Sequence, residues 1–169
     1  MLPKPPGCVG CPLYGDGRGF VPDRIPDGAL VVVLAQNPGA DEEAGRQVTG
    51  YEGREPTYEE CEPQPLIGKT GYEMWTRYVP LLGVSPERVG VGNVLKCRAI
   101  KGWHRTNDLP TGKTLEAAVA HCTREHLRIP PETPLVLTMG ALSWRVLGGP
   151  GSVTEWRGFL RPIPMQPEV

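Results

Sequence analysis

The sequence lacks any long apolar run. No stretch approaches the ~18 consecutive apolar residues that a membrane-spanning helix needs, and the N-terminus lacks the apolar core of a secretion signal. We therefore expect no membrane segment and a chain that works inside the cell, in the cytoplasm. The chain also shows no internal repeat and no low-complexity segment, and its 169 residues predict a single domain over 1–169 with a core of its own.

The chain also has little net charge. The formal net charge is −1, with 22% charged and 39% hydrophobic residues, which is typical of a soluble globular domain. A near-neutral balance neither requires nor excludes a nucleic-acid partner, because such a partner needs only a local basic face.

Glycine and proline, by contrast, are abundant, at 22 and 20 residues. They concentrate at 3–28, 45–68 and 148–167, and we predict loops there.

Short apolar runs and helical patterns alternate between these loops. The unbroken apolar runs predict strands buried on both faces, at 29–35, 88–95 and 134–139. Helical patterns separate them, at 71–82, 114–127 and 141–147. This alternation predicts an α/β fold in which a parallel sheet carries helices on both faces and a ligand binds at the carboxyl ends of the strands.

The chain has five cysteines, and in a reducing compartment they favour metal or cluster binding over disulfides. Cys8 and Cys11 form a C-x-x-C pair among turn-forming residues. Cys97 follows a strand-like run, and Cys122 lies in a predicted helix. Such a set can converge on one tetrahedral thiolate cage, which suggests a buried iron–sulfur site and leaves structural zinc open. Cys61, in an acidic loop, is given no role.

Polar amides follow two of the predicted strands. Gln36 and Asn37 end the first strand, just before a Pro-Gly turn, and Asn93 ends the second. Asparagine and glutamine each offer donors and acceptors, which match the alternating edge of a nucleobase. The sequence therefore predicts that this edge of the sheet binds a flat polar heterocycle.

Several short motifs occur in a fixed order along nearly the whole chain. They are C-V-G-C-P-L at 8–13, Q-N-P-G at 36–39, P-L-I-G-K-T-G at 65–71, N-V-L-K-C-R at 93–98, T-M-G-A at 138–141 and R-G at 157–158. In this order they resemble the motifs of the iron–sulfur class of uracil-DNA glycosylases. The resemblance implies a three-layer α/β/α sandwich with a short parallel sheet. It also implies a 4Fe–4S cluster held by Cys8, Cys11, Cys97 and Cys122.

The resemblance further implies roles for the strand-end amides. Such an enzyme flips a nucleotide out of DNA, holds the base edge, stabilises the departing uracil anion and places a water. Asn37 matches a water-positioning asparagine of related glycosylases, and Gln36 stands where the iron–sulfur class usually carries glutamate. An amide is no general base, so Asn37 would orient water only through hydrogen bonds. Asn93 matches the residue that contacts the uracil edge. Alternatively, these amides only satisfy nearby backbone groups.

Two further positions would shape the base pocket. Leu66 stands where the family has a stacking phenylalanine, so part of the usual ~1–3 kcal/mol of stacking is lost. Gly39 leaves room where other uracil enzymes exclude the thymine methyl group with a bulky side chain. We therefore expect weak discrimination against thymine.

The chain departs from the family in two places. The 45–64 segment is longer than the family's loop and is acidic, which does not favour a phosphate backbone. After R-G at 157–158 the family continues into a strand and a His-Pro motif that serves the leaving uracil, whereas this sequence ends at Val169. Either the sequence stops short of a longer protein, or the domain lacks that motif. A basic and aromatic loop at 101–105, with His104, is expected to contact phosphate and base.

Two functions are compatible with these observations. The first is a DNA-repair N-glycosyl hydrolase that excises uracil or a related damaged base, with a flipped nucleotide of DNA as its partner. The second is a catalytically impaired, glycosylase-like DNA-binding or scaffold module, fused to or associated with a larger DNA-processing protein.

Overall fold

The computed structural model describes residues 2–15, 19–98 and 111–163. In chain order its strands and α-helices are β1 (Val31–Ala35), α1 (Ala40–Ala44), β2 (Arg46–Glu52), β3 (Glu55–Glu60), α2 (Lys69–Glu73), β4 (Val89–Asn93), α3 (Gly112–His126), β5 (Leu135–Thr138) and α4 (Ala141–Val146). The three strands predicted from the apolar runs are confirmed, each slightly shorter than its run.

A short parallel sheet of three strands, in the order β4-β1-β5, forms the centre of the fold. Val31 of β1 lies opposite Val89 on one side and Leu135 on the other, and Ala35 lies opposite Asn93. Because the strands are parallel, the chain leaves all three at the same edge. The loops that follow the strands therefore meet there.

The central strand is apolar because both of its faces are covered. Val31 and Val33 pack on one face with Leu66 and Met74. Leu34 packs on the other face, in the cluster that contains residues of α3 and α4. Alternate residues therefore enter two separate apolar clusters, which explains the unbroken run at 29–35.

The predicted helix at 71–82 is helical but is not one α-helix. It begins as α2, widens to a π-helical turn over Met74–Tyr78 and ends as a tight 3-10 turn over Val79–Leu82. Pro80 accounts for the change, because it lacks the N–H that a regular α-helical turn requires and its ring would crowd the carbonyl four residues earlier. The helices predicted at 114–127 and 141–147 are confirmed as α3 and α4.

The prediction of a loop across 45–68 is wrong for much of that segment. β2 and β3 pair there as an antiparallel hairpin, with an irregularity in register between Val48 and Gly50. Val48 is buried, and the ring of Tyr51 packs edge-on against Tyr72. These tertiary contacts stabilise two strands in a segment whose glycine, proline and glutamate content predicts a loop.

The N-terminal segment covers the outer edge of β4. Arg24 pairs with Val91 through an antiparallel bridge. At Gly92 a Cβ atom would lie only 2.7 Å from a carboxylate oxygen of Asp23. Glycine at this position therefore lets Asp23 approach the strand end.

Among the described helices, none combines the length and the apolar character needed to cross a bilayer.

Candidate functional site

A pocket of about 580 Å³ opens beside the carboxyl end of β1. Its walls come from the loop after β1, from α1, from residues 66–70 and from the loop after β5. Gln36, Asn37, Gly39 and Leu66 line it, whereas Asn93 is not among its lining residues. The structure thus brings four of the five residues assigned to catalysis and base binding into one pocket.

The two amides of the first strand end are partly engaged with nearby backbone. Gln36 Oε1 accepts a hydrogen bond of 3.0 Å from the Leu142 N–H. Asn37 Nδ2 donates to the Pro38 carbonyl at 3.2 Å. Gln36 therefore ties the loop after β1 to α4, while the Asn37 contact is local and uses only one of the two N–H donors of that amide.

Asn93 is fully buried at the end of β4. Neither its Oδ1 nor its Nδ2 has a hydrogen-bond partner among the residues that the structure describes. Its strand neighbour Ala35 lines the pocket. A buried amide without partners is rare in native proteins and marks a position where a ligand can complete the hydrogen bonding.

Glu42 is a pocket residue that the sequence did not reveal. It lines the pocket and is only 8% exposed. Its Oε2 accepts from the Gly39 N–H at 2.6 Å and its Oε1 from the Leu66 N–H at 2.5 Å. Burial raises the pKa of the Glu42 carboxyl, although both backbone donors act in the opposite direction. A capping-box pattern, with Glu42 three residues after Gly39, could have indicated the first of these contacts.

Its neighbour Glu43 is also buried but makes a different set of contacts. Glu43 Oε1 accepts from the Gly19 N–H at 2.9 Å, and its Oε2 lies 3.2 Å from Arg98 Nε. Glu43 does not line the pocket. The two buried carboxylates of α1, those of Glu42 and Glu43, therefore make different contacts.

A second, much smaller cavity joins the predicted thiol ligands. Cys8, Cys11, Cys97 and Cys122 all line it. The cavity is narrow, and within the described ranges no group of three or more His, Cys, Asp or Glu side chains is arranged to hold a metal ion. The thiols thus meet at one place without forming a ready-made site for a single ion.

Two backbone N–H groups point at sulfurs of this cavity. The Leu13 N–H donates to Cys11 Sγ and the Lys96 N–H donates to Cys122 Sγ, each at 3.4 Å. Burial raises the pKa of Cys97 to about 11 and that of Cys122 to about 12. Burial therefore disfavours the thiolate forms of Cys97 and Cys122 unless a cation compensates their charge.

Two histidines of α3 border the same cavity. His126 Nε2 lies 3.3 Å from Cys8 Sγ, and His121 Nε2 lies 2.8 Å from the Gly7 carbonyl. Burial, followed by the charge of Lys96, lowers the pKa of His126. Which of His126 Nε2 and Cys8 Sγ donates depends on the tautomer of the ring.

The other residues singled out in the sequence lie elsewhere. Cys61 precedes the pocket-lining residues at 66–70 and contacts Gln64 and Glu62 rather than the other thiols. The 101–105 loop with His104 lies outside the described residues.

No protein-family model matches the chain, and comparison with curated proteins gives no match.

Proposed function

We propose that the chain is a uracil-DNA glycosylase-like domain, a three-layer α/β/α sandwich that excises uracil or a related damaged base from DNA. One observation carries the proposal: a pocket lined by amides lies beside Asn93, whose buried amide has no described partner. Leaving such a group unpaired costs on the order of 1–3 kcal/mol. A base edge that offers one donor and one acceptor would recover that cost.

The dimensions and walls of the pocket support a flipped nucleotide as the ligand. A volume of about 580 Å³ lies within the ~300–1,000 Å³ typical of small-molecule sites, and exceeds what a single pyrimidine fills. Leu66 supplies an apolar wall, and Gly39 has no side chain to exclude a substituted base. These features fit a range of damaged bases better than uracil alone.

The chemistry of base removal assigns a role to Asn37. The bond between the sugar C1′ and the base nitrogen breaks, and its electron pair leaves with the base. The oxygen of a water then bonds to C1′, and the proton that the water releases neutralises the departing base. Asn37 lines the pocket and would orient this water through hydrogen bonds, since an amide is no general base.

We also propose that Cys8, Cys11, Cys97 and Cys122 hold a 4Fe–4S cluster. Their shared cavity and the two N–H donors to sulfur support this assignment. Four thiolates would also suit a structural zinc ion, so the metal content distinguishes the two. When bound, the cluster supplies a structural cross-link between the N-terminal loop, the end of β4 and α3.

A second candidate function is a glycosylase-like module that binds DNA or a DNA-processing protein without cutting. Two observations favour it. Gln36 Oε1 is already engaged by the Leu142 N–H, and Asn37 donates to its neighbouring carbonyl. In addition, the hairpin of β2 and β3 presents exposed glutamates, which repel a phosphate backbone.

A cleavage assay separates the two candidates. The cluster-loaded protein is incubated at stoichiometric amounts with single- and double-stranded oligonucleotides carrying one uracil or, as control, one cytosine. Alkali-sensitive abasic product from the uracil strand alone supports the enzyme. Binding of these oligonucleotides without product supports a DNA-binding module, and the absence of both binding and product contradicts the enzyme and the DNA-binding module alike.

A pair of amide variants then tests the pocket. Asn93→Ala should abolish uracil-dependent cleavage, because no other described residue supplies the buried amide. Gln47→Ala removes an exposed amide of β2 that does not line the pocket, and should leave cleavage unchanged. Equal activity of the two variants would contradict a base-binding role for Asn93.

A further inference from the structure

Leu66 has a backbone conformation that leucine rarely adopts. Its φ angle is +57°, and it is the only non-glycine residue with a positive φ in the described part of the chain. It is also only 2% exposed and lines the pocket. A bulky residue in the left-handed region is strained, and such strain persists only where the surrounding structure imposes it.

Three neighbours impose this conformation. Glu42 Oε1 accepts from the Leu66 N–H at 2.5 Å, and Trp75 Nε1 donates to the Leu66 carbonyl at 3.1 Å. Gly71 allows the close turn, because a Cβ at that position would lie 1.8 Å from the Leu66 carbonyl oxygen. Both polar groups of Leu66 are thus bound by side chains from other segments.

The Glu42 carboxylate also joins two walls of the pocket. One oxygen binds the Leu66 N–H and the other binds the Gly39 N–H at 2.6 Å, so the loop after β1 and the Leu66 turn are held by the same group. A buried carboxylate that only capped α1 would need the contact to Gly39 but not the contact to Leu66.

We propose that Glu42 is a positioning residue that holds Leu66 in its strained conformation, so that the leucine side chain forms a fixed wall against which a flipped base is placed. The base-binding part of this inference rests on the proposed function. The structural part, that Glu42 holds Leu66, does not depend on it.

Glu43 provides a matched control for Glu42. It is a neighbouring carboxylate, 3% exposed against 8% for Glu42, and it likewise accepts from a backbone N–H. It contacts Gly19 and Arg98 instead of Leu66. Loss of Glu43 therefore reproduces the general cost of removing a buried carboxylate from α1 without releasing Leu66.

A double-mutant cycle tests the structural part. Glu42→Ala should lower the Tm by roughly 6 °C. In the background Leu66→Gly, the same substitution should lower the Tm by roughly 3 °C more, because loss of Glu42 lets a strained leucine relax and recover part of the cost, whereas glycine has no strain to relieve. Glu43→Ala should lower the Tm by the same amount in both backgrounds. Equal losses for Glu42→Ala in the two backgrounds would overturn the proposal.

Nuclear magnetic resonance provides a second measurement that does not depend on the stability of Leu66→Gly. In Glu42→Gln the amide protons of Leu66 and Gly39 should both move upfield, because each loses a charged acceptor. The amide proton of Gly19, bound to Glu43, should stay in place. Unchanged Leu66 and Gly39 resonances would also overturn the proposal.

Binding tests the functional part. The ligand is a single-stranded oligonucleotide carrying one non-cleavable 2′-fluoro-deoxyuridine, with a cytosine oligonucleotide as reference. Glu42→Ala should weaken uracil-dependent binding about tenfold, and Glu43→Ala should leave it within about twofold. Equal binding by the two variants would overturn the role of Glu42 in base placement. If the unaltered protein shows no uracil preference, the proposed function fails, and the Tm cycle still decides whether Glu42 holds Leu66.

Discussion

The ammonium group of Lys96 lies 2.6 Å from each carboxylate oxygen of Asp23. The same ammonium donates to the Asn93 carbonyl at 2.5 Å, and Asp23 Oδ1 accepts from the Asn93 N–H at 3.1 Å. One ion pair therefore holds both backbone groups of the residue whose side chain has no described partner. Lys96 also lines the cysteine cavity, so the pair lies between the two candidate sites.

Breaking this ion pair should be costly, because the side chain of Lys96 is 2% exposed and that of Asp23 is 13% exposed. We expect Lys96→Met to lower the free energy of unfolding by ~3–5 kcal/mol, since it leaves Asp23 as an unpaired buried charge. The control is Arg77→Met, which removes the exposed pair between Arg77 and Glu73 and should cost only ~0.3–0.5 kcal/mol. Urea unfolding measures both, and equal costs would contradict a structural role for the Lys96 pair.

The five cysteines should contribute unequally to the binding of iron. We expect the protein purified without oxygen to contain iron and sulfide in the ratio of a 4Fe–4S cluster, with its visible absorption. Cys122→Ser should lose most of the iron and the absorption, because it removes one of the four thiolates. Cys61→Ser should retain both, since Cys61 lies outside the cavity. Zinc in place of iron, or equal metal content in the two variants, would contradict the assignment.

Metal-free protein should lose stability at alkaline pH through the same thiols. The pKa values of Cys97 and Cys122 rise from an ordinary 9.0 to about 11 and about 12 in the folded chain. At a pH between the ordinary pKa and the folded-state pKa, the folded state binds more protons than the unfolded state. The stability that these thiols contribute is therefore fully present below about pH 9 and is lost as the pH rises.

The measurement is the Tm of metal-free protein as the pH is raised above 9. By about pH 10, we expect the free energy of unfolding of the unaltered protein to fall by on the order of 1–2 kcal/mol more than that of a variant with Cys97→Ala and Cys122→Ala. Parallel losses in the two proteins would show that these thiols do not titrate as proposed.

The sequence was sufficient to predict the parallel sheet and its polar edge. The run at 29–35 is apolar because both faces of β1 are covered, and the amides at 36–37 share an edge with Asn93 because the strands are parallel. It was not sufficient to predict the hairpin. Its composition resembles that of a loop, and contacts such as that between Tyr51 and Tyr72 join residues distant in sequence.

The distant partners of two buried charged residues, Lys96 and Glu42, could not be predicted from the sequence. Lysine and glutamate are usually exposed, and nothing local marks Lys96 or Glu42 as buried. Lys96 pairs with an aspartate 73 residues earlier, and Glu42 binds a backbone N–H 24 residues later. Such partners are known only once the fold brings distant segments together.

Whether the pocket excises a base is tested most directly by the release of free uracil from a uracil-containing oligonucleotide, measured beside DNA binding in the unaltered protein and in Asn37→Ala. We expect the unaltered protein to release uracil, and Asn37→Ala to lose most of that release while it still binds the oligonucleotide, because only the positioning of water is removed. Absence of released uracil from the cluster-loaded protein at stoichiometric amounts would contradict the proposed function.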